Sequence, residues 1–203
     1  MRAIIIAAGR GSRLGSITDH IPKPLVKVNG MSILGRQISL LNEMGVEDVI
    51  IVTGYKRDAI KFENVKYVVN DDYNTTEQLF SLMTARSFFS GELIVAYGDI
   101  IYDRKILEKI VNCKDDFLLA VDKNWEKSYE KRQDNPAILA DFIGLNKGKV
   151  SECFTNLNKD NIDFDEIVEF IGLIKLSSNA SSAFLRRYLA MEEFDKKSVE
   201  EMK

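Results

Sequence analysis

The chain has 203 residues, 45% hydrophobic and 29% charged, with a net charge of −3. It is long enough for one domain, residues 1–203, with a full hydrophobic core. It lacks the basic excess that neutralises a phosphate backbone, and no stretch approaches the roughly 18 apolar residues of a membrane span, so neither nucleic acid nor a membrane is an expected partner.

The opening residues are too few for the apolar core of a signal peptide and end in a glycine loop rather than a cleavage site. Cys113 and Cys153 have no metal-ligand spacing and suit a reduced cytoplasm, so the expected location is cytoplasmic.

In chain order, the apolar run at residues 3–8 predicts a buried strand. Residues 31–45 place Ile33, Leu34, Ile38, Leu41 and Met44 at helical spacing, with Gly45 as a C-terminal cap. Asp48–Thr53 and Val65–Val69 read as two further strands. Residues 75–77 start a helix that runs to about Phe89, and residues 92–97 form a fourth strand that ends in Gly98-Asp99. A helix at residues 103–112 and a strand at 117–121 follow. This alternation predicts an α/β fold, a mostly parallel mixed sheet with helices on both faces. Residues 138–145 and 150–156 flank the turn Asn146-Lys147-Gly148-Lys149, and residues 169–176 add another strand. Residues 177–182 read as a polar linker capping a last helix at 183–191, and the charged residues 192–203 as a solvated helix face or a fraying end.

Three features carry chemistry. The first strand empties into Gly9-Arg10-Gly11-Ser12-Arg13, where glycines let backbone N–H groups approach an anion closely. Arg13 and Lys23, the latter held in Pro22-Lys23-Pro24, add the fixed positive charge that a triphosphate needs. Asp99 stands at the carboxyl end of a strand, where ligands bind in open α/β sheets, and is placed to hold Mg²⁺ against a triphosphate. The loop is neither G-x-x-x-x-G-K-[ST] nor G-x-G-x-x-G, because Leu14 stands where the third glycine of the latter would be. Lys27 reads equally as a strand-edge lysine or a phosphate contact.

Ala7-Ala8-Gly9-x-Gly11-x-Arg13 followed by Pro22-Lys23 resembles the signature of the nucleotidyltransferases that activate sugar phosphates and small phospho-alcohols. The resemblance implies a Rossmann-like nucleotidyltransferase fold, an Mg²⁺ cofactor held by Asp99, and catalytic roles for Arg13, Lys23 and Asp99. It further implies a nucleotide site at Ala7, Ala8, Gly9, Gly11, Ser12, Tyr55, Thr76 and Ser81.

Many sugar nucleotidyltransferases carry Gln-x-x-x-Gly-Thr-Ala in the segment where this chain has Asn70-Asp71-Asp72-Tyr73-Asn74-Thr75-Thr76-Glu77-Gln78. That stretch is more similar to the branch that makes CDP-linked phosphocholine or aminoethylphosphonate, although Glu77 stands where that branch often has asparagine. Val121-Asp122-x-x-Trp125, Tyr129, Arg132, Asn135-Pro136 and Glu169-Phe170-Ile171-Gly172-Leu173 resemble the same branch. Trp125, Tyr129 and Glu169 are then the acceptor-binding candidates, an aromatic face being suited to an ammonium group.

The implied reaction is Mg²⁺-dependent transfer of a nucleotide, CMP from CTP favoured, to a small phosphate or phosphonate acceptor, with release of pyrophosphate. Its rivals are a sugar-1-phosphate nucleotidyltransferase and a non-catalytic nucleotide-binding subunit. A homodimer is compatible with either activity. The family's usual second metal-binding aspartate, beyond a further helix and strand, has no recognisable counterpart before Lys203. Either the chain is cut short at its C-terminus, or it uses one metal, or another carboxylate substitutes.

Overall fold

The structure is a computed structural model that describes residues 1–130, 140–155 and 164–201, with side chains to residue 192. Arg132, Asn135 and Pro136 lie outside the described residues. The chain forms two compact units, Met1–Leu118 with Ile174–Lys203, and Leu119–Leu173.

In the first unit the strands are β1 (Arg2–Ala7), β4 (Asp48–Thr53), β5 (Val65–Val69) and β6 (Leu93–Tyr97), joined by the end of β10 (Glu166–Leu176). β1 pairs in parallel with both β4 and β6, and β4 with β5, giving the order β5-β4-β1-β6-β10. Continuous apolar strands need cover on both faces. Ile4, Ile50, Val52, Leu93 and Val95 pack against α2 (Gln78–Thr84) and Phe184, Leu185 and Tyr188 of α5 (Ser178–Glu201). The alternate positions Ala3, Ile5, Val49, Ile51 and Ile94 are equally buried, as are Leu34, Ile38 and Leu41 of α1 (Ile33–Glu43) and Leu107 and Ile110 of α3 (Arg104–Asn112). Lys175 is buried among these elements, and its Nζ donates to Val111 O (3.2 Å) and Cys113 O (2.5 Å), satisfying carbonyls at the end of α3.

Among the predicted boundaries that move, three do so for a plain local reason. Met31-Ser32 is strand β3, paired with β2 (Lys27–Val28), and Ser32 caps α1 by accepting from Gly35 N at 3.1 Å, so the helix starts at Ile33 rather than residue 31. The helix expected over residues 75–89 is confined to α2, followed by a short 3₁₀ turn at Arg86–Phe88. Residues 178–182, read as a linker, are helical: Ser177 Oγ accepts from Ala180 N at 3.1 Å, and the Ser181 hydroxyl donates to Gly91 O at 2.8 Å.

The second unit holds α4 (Trp125–Tyr129), most of β7 (Phe117–Asp122), β8 (Asp141–Asn146), β9 (Lys149–Thr155) and the start of β10. β8 pairs antiparallel with β9 and β10, and β7 also pairs with β10. The β8–β9 turn places Lys147 at φ 53° and Gly148 at φ 71°, the pair of positive values that suits a tight hairpin. Among the described residues, no helix is long and apolar enough to cross a membrane.

Candidate active site

After β1 the chain steps outward through β4 to β5, then returns to place β6 on the other side of β1. At such a reversal the loops leaving the two strands diverge and leave a crevice. Here that crevice is a cavity of about 370 Å³. Ala7 lines it from the end of β1, Gly9, Gly11, Ser12 and Arg13 from the loop that follows, and Lys23 from the turn beyond. Asp99 lines it after β6, Thr76 from the segment leading into α2, and Ser81 from α2 itself. Tyr73, Glu77, Gln78 and Tyr97 complete the polar wall.

Backbone geometry explains the glycines. Gly11 has φ +71°, and a Cβ there would lie 2.7 Å from Lys23 Cβ, so only glycine lets the loop pass over the lysine stem. Gly98 admits no Cβ either, since one would lie 2.8 Å from Ile6 O, and this close passage delivers Asp99 beside the end of β1. A Cβ on Gly9 would meet nothing within 4 Å, which leaves its backbone open to a ligand. Behind the loop the fully buried Thr18 hydroxyl lies 3.2 Å from Gly11 O and 3.1 Å from Gly15 O, fixing the curvature. The two loop arginines part ways. Arg10 pairs with Asp19 at 2.8 Å and lies over the Tyr55 ring, whereas Arg13 faces the cavity.

Lys23 Nζ and Asp99 Oδ2 meet at 2.6 Å. Their side chains are 30% and 38% exposed, so water screens the pair and it is worth no more than about 1 kcal/mol. A metal ion or a phosphate group competes readily with an attraction of that size.

Two buried side chains organise this wall: Asn70, which opens the segment 70–81 that the sequence offers to the nucleobase, and Gln37, to which it gives no role. Asn70, 1% exposed, donates from Nδ2 to Thr76 Oγ1 (3.0 Å) and Ser81 Oγ (2.9 Å), while its Oδ1 accepts from Asp72 N (3.0 Å). Gln37 of α1, also 1% exposed, donates from Nε2 to Tyr97 O (2.9 Å) and Ile100 O (2.8 Å). The available signal was the same for both: a polar residue amid an apolar stripe or at a strand end, where burial obliges it to bind something.

The remaining candidates lie elsewhere. Ala8 is buried and accepts from Tyr55 N at 2.8 Å; neither residue lines the cavity. The Tyr55 hydroxyl donates to Thr18 O at 3.0 Å, and its ring meets Tyr73 edge-on at 6.2 Å, so Tyr55 braces the loop. Lys27 is exposed on β2, outside the cavity lining.

Trp125, Tyr129 and Glu169 come together within the second unit. Trp125 is 7% exposed, meets Phe142 edge-to-face at 4.6 Å and donates from Nε1 to Ile167 O at 3.0 Å. The Tyr129 hydroxyl donates to Glu169 Oε1 at 2.5 Å.

No group of three or more His, Cys, Asp or Glu side chains able to hold a metal ion exists among the described residues. The cavity does fit Mg²⁺, which ordinarily takes one or two carboxylates and completes its shell from substrate phosphates and water. Asp99 is such a carboxylate, beside cationic groups suited to those phosphates.

Residues 3–139 match the family described as the MobA-like NTP transferase domain. The chain is 30% identical to the CTP:phosphoglutamine cytidylyltransferase of Campylobacter jejuni, across 100% of this chain and 84% of that protein. It is 29% identical to the choline-phosphate cytidylyltransferase of Streptococcus pneumoniae, across 83% of this chain and 86% of that protein. Among solved structures, it resembles the CTP:phosphocholine cytidylyltransferase of Streptococcus pneumoniae with a TM-score of 0.66 at 20% identity, covering 91% of this chain and 74% of that one. The inositol-1-phosphate CTP transferase of T. maritima gives the same TM-score at 19% identity, over 89% and 72%.

Proposed function

The chain belongs to the MobA-like NTP transferase domain family and is a nucleotidyltransferase; from that premise we propose that it transfers CMP from CTP to a small phosphate or phosphonate acceptor, releasing pyrophosphate. The observation that carries this reading is the convergence of the Gly9–Gly11 loop, Arg13, Lys23 and Asp99 on one cavity at the reversal of strand order. Relatives named for phosphoglutamine and choline phosphate support the acceptor class. So does a match of 36% identity over 54% of this chain to the CMP-5'-(3-aminopropyl)phosphonate synthase of Streptomyces rubellomurinus, although that match spans only 19% of the larger protein.

The chemistry needs little beyond positioning and charge. An acceptor oxygen attacks the α-phosphorus of CTP in line, a new P–O bond forms, and the bond to the oxygen bridging the α and β phosphates breaks, with that oxygen leaving on pyrophosphate. The nucleophile is already an anion, so no general base is required. The open backbone at Gly9 and the Arg13 guanidinium receive the β and γ phosphates and the charge that develops on pyrophosphate. Lys23 leaves Asp99 and stands between the α-phosphate and the incoming acceptor, where two anions must approach each other. Asp99 would hold Mg²⁺, which when bound neutralises phosphate charge as a Lewis acid. Thr76 and Ser81, fixed from behind by Asn70, face the nucleoside.

The test is pyrophosphate release and product analysis with CTP, UTP or dTTP, each offered choline phosphate, 2-aminoethylphosphonate, phosphoglutamine or glucose 1-phosphate with Mg²⁺. A CMP adduct of one of the first three supports the proposal. Preferential turnover of UTP or dTTP with glucose 1-phosphate makes the protein a sugar-phosphate enzyme. Thermal stabilisation by nucleotides without turnover under any pairing makes it a binding subunit.

A further inference from the structure

Gln37 occupies a place that helix packing would assign to an apolar residue. It falls in the buried stripe of α1 with Ile33, Leu34, Ile38 and Leu41, and is as inaccessible as they are. Burying an amide is costly for each polar group left without a partner, so a leucine or methionine would serve the core better. Gln37 carries that cost in part, since its Oε1 has no hydrogen-bond partner among the described residues. Its Nε2, by contrast, is fully used. Both hydrogens reach carbonyls, Tyr97 O at 2.9 Å and Ile100 O at 2.8 Å.

Those two carbonyls flank Gly98 and Asp99. Tyr97 closes β6 and the Gly98 amide still donates to Ile6 O at 2.8 Å, but beyond it the chain belongs to no strand or helix until α3, which Asp103 caps through a hydrogen bond from Ile106 N at 3.1 Å. Half-buried carbonyls at the two ends of this turn are met by an outside donor. Gln37 is that donor for both ends at once. The carboxylate between them is the one that faces the cavity and pairs with Lys23.

We infer that Gln37 is a positioning residue, which brackets the Tyr97–Ile100 turn from within the core so that the Asp99 carboxylate is presented to the cavity in one orientation. The inference rests on the reading of Asp99 as the metal-holding carboxylate. Outer-shell groups that orient a metal ligand typically change metal affinity or activity by about 10–100-fold when removed. Gln37 acts through the backbone on either side of the ligand, so the lower half of that range applies.

The test uses Gln37→Met, close in volume and without donors, beside Gln37→His, which keeps one ring N–H. CTP binding is titrated by calorimetry over a range of Mg²⁺ concentrations, and hydrogen exchange is followed at the amides of residues 98–102. Gln37→Met should raise the Mg²⁺ concentration for half-maximal CTP binding by about 10- to 30-fold, with CTP affinity at saturating Mg²⁺ near the parental value. Exchange at residues 98–102 should quicken, and Gln37→His should fall between parent and Gln37→Met on both measures. Should Gln37→Met fail to fold, the His variant alone carries the same two readouts.

A folded variant with lowered melting temperature but parental Mg²⁺ dependence would make Gln37 a purely structural residue. Asp99→Asn separates that failure from failure of its premise. If Asp99→Asn loses the Mg²⁺ response while Gln37→Met keeps it, only the positioning role is overturned. If both keep it, the metal reading of Asp99 falls as well.

Discussion

The cavity of the first unit and the aromatic cluster of the second are built on opposite plans. Around the cavity, the lining is set in place by buried polar side chains: Asn70 behind Thr76 and Ser81, Gln37 behind the Asp99 turn, Thr18 behind Gly11. In the second unit Trp125 packs with Phe142 and Ala140, Tyr129 and Phe154 close around them, and the polar tips of Trp125 and Tyr129 are spent on Ile167 O and Glu169. The first arrangement lines a cavity with charged groups, Arg13, Lys23 and Asp99. The second consumes its polar groups internally. Substitutions in the two regions should therefore separate activity from stability.

The largest effect is expected at Trp125. Trp125→Ala should cost about 3–5 kcal/mol of stability in chemical denaturation, as for other buried aromatics. Parental stability with a raised acceptor KM would instead make Trp125 an acceptor contact, and the contrast between the regions would break. Arg13→Ala should show the reverse pattern. Turnover should fall by roughly two to three powers of ten, the scale of losing one charge-stabilising donor, with an unchanged melting temperature. Parental turnover would remove Arg13 from the mechanism.

Asn70→Ala lies between the two. It strips buried hydrogen bonds and should cost about 1–3 kcal/mol, while also raising the KM for CTP because Thr76 and Ser81 lose their common partner. A stability loss with no change in KM would confine Asn70 to folding.

The smallest effect is expected at Asp48, at the far end of β4 from the cavity. The Lys66 ammonium, at 2.6 Å, holds its carboxyl below the usual aspartate range, with help from Arg2 at 2.7 Å and against a smaller opposing effect of burial. A depressed folded-state pKa means that the stabilisation is present above the unfolded value, about 3.9, and is lost as pH falls through the folded value. Asp48→Asn should therefore narrow the stability gap between neutral and acidic pH slightly, with turnover at pH 7 unchanged. Altered turnover would mean that this end of the sheet communicates with the cavity.

What was legible in the sequence follows the same division. The strand, the glycines, Arg13, Lys23 and Asp99 could be read because their chemistry is local: a positive φ, a loop cation, a carboxylate at a strand end. Gln37 is given no role by the sequence, because its partners lie 60 and 63 residues away, and Asn70 is readable only as part of a nucleobase segment, because its partners Thr76 and Ser81 come together only when α2 folds back beside the end of β5. A polar residue on a helix is ordinarily solvated, and only its position within the apolar stripe marks it as different. Tyr55 shows a related limit, since an aromatic beside a nucleotide loop can stack on a base or brace the loop, and its hydrogen bond to Thr18 O, which braces the loop, is invisible in one dimension. The serines at 177–182 were read as a linker by composition. Their hydroxyls bond to nearby carbonyls and start a helix instead.

The central claim is that the Lys23–Asp99 pair opens so that Lys23 can serve the junction between the α-phosphate and the acceptor. The direct measurement is CTP affinity by calorimetry in the presence of Mg²⁺, set beside steady-state kinetics against the acceptor, for Lys23→Ala and its parent. Repulsion between two anions is poorly screened in a site closed to water, so the variant should lose turnover and acceptor use far more than CTP affinity, which the loop and Arg13 still supply. Abolished CTP binding with intact acceptor affinity would place Lys23 in the triphosphate clamp and contradict the account.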